Sequence, residues 1–265
     1  MPPARTDAPP PPSSVYRELR PSSALEDLLA CRWYQQVADD RVQRVVPDGC
    51  ADVVWIAGRE LVVAGPATHA ALASLPAGSA TVGVRFRPGT GAAALGVPLD
   101  ALRDVTIPLA EVWGAERADR LADALAAEAG AAAGATLAQL DRLERAVLAA
   151  RADAPPVDRL VLAAAQRFAG APASVRVRDV GDALGVSERQ LLRRFRAAVG
   201  YGPKTLARVL RFQRFLQSAW EMPAPGSGPG LSRLAFDAGY ADQAHLAREC
   251  RDLAGVSPRR LLAGS

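Results

Sequence analysis

At 265 residues, with 49% hydrophobic and 23% charged residues, the chain is long enough for two compact domains and has the composition of a soluble globular protein. No apolar run approaches the roughly 20 residues that span a bilayer, and the N-terminus is Pro-rich and contains Asp7 instead of leading from a basic region into an apolar one. The expectation is a cytoplasmic protein with neither a membrane span nor a secretory leader, and with no membrane partner.

Cys31, Cys50 and Cys250 are too few and too scattered for a disulfide framework, and no CxxC or HExxH spacing offers a metal site, so no metal and no cofactor is expected. Lys204 is the only lysine among 32 basic residues and alanine is abundant, which points to a bacterial, GC-rich source. The net charge of +4 hides an asymmetry. Residues 1–154 carry 15 Arg against 19 acids, whereas residues 155–265 carry 17 Lys and Arg against 9 acids, so the C-terminal part is the candidate polyanion binder.

In chain order, residues 1–14 ("MPPARTDAPPPPSS") read as a disordered tail. Val-rich and aromatic runs follow, "ACRWYQQV", "RVQRVV", "ADVVWIAG", "ELVVAG" and "ATVGVRF", separated by Gly, Pro and Asp; they predict a small antiparallel sheet or barrel. Alanine- and leucine-rich stretches then predict helices near 92–104, 115–129 and 136–151, completing an α+β domain over 15–152. In the last helix Leu137, Leu140, Leu143 or Glu144, and Val147 form one stripe, which serves either the core or a dimer interface. "ADAPP" (152–156) marks the boundary, and Val157, Leu160, Val161, Ala164 and Phe168 open an all-α domain over 155–263.

That domain contains an internal repeat. From Ser187 onward a constant offset of 55 pairs Leu191 with Leu246, Arg193 with Arg248, Arg196 with Arg251, Gly200 with Gly255, Pro203 with Pro258 and Leu206 with Leu261. Each copy has a short helix, a turn containing Gly185 or Gly239, and a polar N-cap, Ser187 or Asp242, before a second helix: a helix-turn-helix written twice. In the first copy Leu191, Phe195 and Val199 form a buried stripe while Arg189, Arg193 and Arg196 share another face, suited to guanine edges and phosphates in a major groove. In the second, Gln243 and Arg248 offer donors to base edges and Ala244 or Ala247 a surface for a thymine methyl. Pro203 to Trp220 reads as one connecting helix of roughly 27 Å, against about 34 Å between successive groove faces.

Residues 155–263 resemble the DNA-binding domain of the AraC family of bacterial transcription regulators, through both motifs, the linker helix and the closing Gly and Pro of "GYADQAHLARECRDLAGVSP". The resemblance implies seven helices and two recognition helices. It places base reading at Arg189, Gln190, Leu192 and Arg193, with Arg196 beside them, and at Gln243, Ala244, His245, Ala247 and Arg248. Two departures stand out: Cys250 replaces a bulky aromatic, and "MPAPGSGPG" (222–230) makes a long connection into the second motif. The first domain is similar to one of poorly defined function found ahead of this DNA-binding domain, through "RVVPDGCADVVW", "VAGP", "GVRFRPG" and "LGVPLDALRD". In better-understood relatives the leading domain is a cupin-like barrel that binds an effector or dimerises.

The expected function is that of a sequence-specific, effector-responsive transcription regulator and not of an enzyme. Double-stranded DNA is its partner; a small-molecule effector, RNA polymerase and a second copy of the chain are further partners the reading allows. Trp33, Asp48, Trp55 and Arg85 are the candidate effector residues. Two alternatives stay open: an architectural DNA-binding protein, and a redox or electrophile sensor whose Cys50 thiolate is favoured by Arg44 or Arg85.

Overall fold

Period-two alternation of buried and half-buried residues, as in Leu29–Gln36, sets the sheet; the structure, a computed structural model, describes residues 14–58, 60–128, 133–152, 154–170, 175–221 and 230–263. The expected tail up to residue 13 and residues 222–229 of the long connection lie outside these. The strands are β1 (Val15–Leu19), β2 (Leu29–Gln36), β3 (Arg41–Val45), β4 (Asp52–Ile56), β5 (Glu60–Ala64), β6 (Ala71–Leu75), β7 (Ala80–Phe86) and β8 (Thr106–Pro108). Six of them form an open antiparallel sheet in the order β1-β2-β7-β4-β5-β8, and β3 pairs with β6 in a separate ribbon.

The two faces of the large sheet differ. Val53, Trp55, Val82, Val84 and Phe86 enter the core shared with the helices, whereas the register pairs Arg85 with Cys31 and Asp52 on the opposite face. There Trp33 lies flat on Gly83, where a Cβ would meet the indole at 2.6 Å; no larger residue fits.

The expected 92–104 helix is two pieces, α1 (Gly91–Leu95) and a 3-10 turn (Leu99–Leu102), because Gly96 takes a left-handed φ of 75° and Pro98 follows. After α2 (Ala110–Trp113) come α3 (Ala115–Ala127) and α4 (Ala133–Ala152). Leu121, Leu125, Leu140, Leu143 and Val147 are buried in the sheet's core, so the α4 stripe is core packing, and its buried members are unavailable for a dimer interface.

Beyond the boundary lie α5 (Arg159–Gly170), α6 (Val177–Ala183), α7 (Glu188–Val199), α8 (Pro203–Trp220), α9 (Leu231–Asp237), α10 (Gln243–Ala254) and α11 (Pro258–Ala263), wrapped round a second core. Among the described residues no helix is long and apolar enough to cross a membrane.

Candidate nucleic-acid interface

The first head is α6 and α7 joined through Gly185, whose φ of 69° lets the chain reverse. Ser187 caps α7: its hydroxyl accepts from Gln190 N–H at 3.3 Å, and its own N–H donates to Gln190 Oε1 at 3.1 Å, a reciprocal capping box. Leu191, Phe195 and Val199 are buried, with Phe195 edge-on to Phe168 at 6.1 Å. Arg194 ties the helix to the start of α5 through Asp158 at 2.6 Å. Arg189, Arg193 and Arg196 are exposed and pair with no described residue. Leu192 is half-buried against the helical core instead of standing on the open face.

The second head repeats this geometry. Gly239 (φ 90°) turns the chain, and Asp242 caps α10 by accepting from His245 N–H at 2.6 Å. Leu246 and Cys250 are fully buried, so Cys250 fills the core. Gln243, Ala244 and Arg248 are exposed and Ala247 is half-buried. His245 is turned inward: its ring meets Tyr240 edge-on at 5.2 Å, and Nε2 lies 3.8 Å from Glu249 Oε1.

The paired positions of the repeat have the same jobs in both copies. Gly200 (φ 93°) and Gly255 (φ 71°) end the recognition helices in the left-handed conformation that glycine adopts without strain. Pro203 and Pro258 open the next helices, and Leu206 and Leu261 are buried.

One feature of this domain escaped the sequence reading. Glu249, 4% exposed, accepts from Arg208 Nε at 3.0 Å and from Arg211 through Nε at 3.3 Å and Nη2 at 2.5 Å. Arg211 also stacks on Tyr240 at 5.0 Å. Paired in this way the buried charges are tolerated, and they clamp α10 to the linker helix α8. The signal was a carboxylate inside the apolar stripe Leu246, Cys250, Leu253.

In the first domain the open face of the sheet gathers Trp33, Asp48 and Arg85, and leaves Trp55 in the core on the other side. Three carboxylates meet one guanidinium: Glu18 at 3.0 Å, Asp48 at 3.1 Å and Asp52 at 3.2 Å from Arg85. Trp33 Nε1 donates to Asp52 at 2.8 Å, and Tyr16 packs on Trp33 at 5.9 Å. Burial raises the Asp52 pKa to about 6 against the pull of Arg85. Cys50 fails the condition for a reactive thiolate. It is half-buried, and burial, reinforced by Asp48, pushes its thiol well above the usual value despite Arg85.

The segment from Val46 to Cys50 joins this cluster to the helices. Gly49 lies against Leu206, Val46 packs into the helical core, and Gln213 donates to the Pro47 carbonyl. Arg44 donates to the carbonyl of Ala254 at the end of α10 at 2.7 Å. Gly200 sits so close to Pro66 and to the Leu99 carbonyl that a Cβ would meet them at 2.3 and 3.1 Å. The first domain therefore touches the C-terminal end of each recognition helix.

Residues 17–108 match a family described as a domain of unknown function, DUF6597, and residues 180–264 match one described as a helix-turn-helix domain. No curated protein matches the chain. It is similar to solved structures of ToxT from Vibrio cholerae. With the O395 protein it shares 10% identity at a TM-score of 0.45, covering 94% of this chain and 97% of that one. The 1.65 Å P21 form gives 10%, 0.46, 95% and 98%. The unsaturated-fatty-acid-bound protein of strain SCE256 gives 12%, 0.42, 86% and 88%.

Proposed function

We propose that this chain, a DNA-binding transcription regulator with an AraC-type helix-turn-helix domain at its C-terminus behind a domain of unknown function, reads two successive major-groove segments in response to a small effector. The observation that carries the reading is the repeated head: two capped helices, each buried along one stripe, each turning outward donors that no described residue engages. Arg189, Arg193 and Arg196 do so on α7, Gln243 and Arg248 on α10, with Ala244 and Ala247 as apolar contacts. Half-buried Leu192 and His245 contribute through packing. Residues 155–263 are the reading domain and 15–152 the sensing domain.

Effector response is supported by the charged, aromatic face around Trp33, Asp48 and Arg85, which lies directly behind the segment that touches α8. A footprint of the purified chain on the DNA upstream of its own gene tests the reading. Two protected stretches about one helical turn apart are expected. Equal affinity for upstream and random DNA would instead identify an architectural binder.

A further inference from the structure

Each head carries a glutamine among its outward residues, and in each the amide oxygen is already engaged. In α7 the N–H and the hydroxyl of Ser187 both donate to Gln190 Oε1, at 3.1 and 3.0 Å. A backbone N–H can only donate, so the oxygen is held at the helix start and Nε2 carries the free donors. In the second head the Ser232 hydroxyl, on neighbouring α9, donates to Gln243 Oε1 at 3.0 Å. No described residue accepts from either Nε2.

The other polar side chains on the two faces, Arg189, Arg193, Arg196 and Arg248, are donors without exception. The nearby acids do not change this. Glu188, exposed in the first turn of α7, lies three and seven residues before buried Leu191 and Phe195, in their row of the helix and not in that of Arg189, Arg193 and Arg196, and Asp242 is occupied by the His245 N–H.

An unencumbered glutamine reads adenine with both ends of its amide, accepting from N6 and donating to N7, whereas guanine presents two acceptors, N7 and O6. We infer that both heads are donor-only readers of guanine, and that Ser187 and Ser232 are the positioning residues that set this preference by withdrawing the glutamine oxygens from the groove. The inference rests on the DNA-reading function proposed above and names the base it reads. Adenine opposite Gln243 would leave its N6 amino group facing donors, with a buried polar group unpaired.

The test selects duplexes from a randomised pool with the full-length chain, then compares guanine and adenine at the position contacted by α10. The wild type should favour guanine by about tenfold. Ser232→Ala, at an exposed site that leaves the fold intact, frees the oxygen and should cut that preference to about threefold or less, with adenine binding gained. Gln243→Ala should erase discrimination at the position without restoring adenine. Adenine preferred by the wild type, or an unchanged guanine preference in Ser232→Ala, overturns the inference and leaves the regulator reading standing. Selection of no sequence at all overturns both.

Discussion

Gln213 on α8 donates its Nε2 to the carbonyl of Pro47 at 2.6 Å, across 166 residues of chain and from the helical domain to the turn that holds Asp48 on Arg85. Arg85 is thus tied, through Asp48, to the same turn that the linker helix grips. Gln213→Ala should lower stability by about 1 kcal/mol, the net worth of one neutral hydrogen bond. It should also weaken any coupling between effector and DNA. Gly200→Ala should do more, since it forces a side chain into a left-handed φ and against Pro66 and the Leu99 carbonyl. Urea denaturation of the full chain orders the two variants, and a Gly200→Ala protein as stable as wild type would show that this contact is not made.

Arg193 and Arg248 occupy equivalent places in the repeat, exposed and without a partner among the described residues. Each alanine variant should lose about 1 to 3 kcal/mol on the selected site and little on random DNA, because a base-edge donor is removed and the phosphate contacts remain. Titrations on both duplexes at one salt concentration separate the cases. Equal losses on both would make these arginines phosphate clamps.

How much of this was legible follows from the range of each interaction. The offset of 55 between the heads, their caps and their closing glycines are local, and Ser187, Asp242, Gly200 and Gly255 all take the predicted places. β1, β6 and β8 do not show in the sequence. "ALASL" has small side chains with little alternation, and the three-residue β8 is defined by pairing with β5 alone. The Arg211–Glu249 clamp joins residues 38 apart, and composition does not show which arginine meets which acid. The sequence groups Trp55 with Trp33 and Arg85 because these three lie on Val-rich strands, and with Asp48 of the turn before its own strand. Register sends Trp55 to the other face, three residues from Asp52.

Asp52 gives the protein a signature in pH. Its folded pKa is about 6 against an ordinary 3.8, so the folded state holds the proton more tightly than the unfolded chain. The stability this confers is fully present below about pH 3.8 and is lost as pH rises through about 6, a change on the order of 2 to 3 kcal/mol. Asp27 and Asp158, whose pKa values are lowered by Arg151 and Arg194, act in the opposite sense at lower pH and are common to both proteins compared. Asp52→Asn keeps a polar group beside Trp33 and removes the titration. The wild-type minus variant stability should therefore fall between pH 4 and 7. A difference that is flat over this window would place the Asp52 pKa near its ordinary value.

Cys50 decides whether the first domain responds to oxidants. A sensing thiol has to ionise near neutral pH, and here burial and the Asp48 carboxylate oppose that more strongly than Arg85 favours it. Cys31, the other cysteine on this face, is buried and raised to about 12 by the same desolvation, so it offers no ready thiolate to resolve an oxidised partner. Sγ of Cys50 lies 3.9 Å from the Asp48 carbonyl, within the turn that Gln213 grips, so oxidation there would disturb the domain junction and be visible in DNA binding. Mild peroxide should leave the DNA affinity of the wild type unchanged, and Cys50→Ser should match it before and after treatment. A loss or gain of affinity on oxidation, seen in the wild type and absent from Cys50→Ser, would establish Cys50 as the sensor and show that the turn opens enough to expose the thiol.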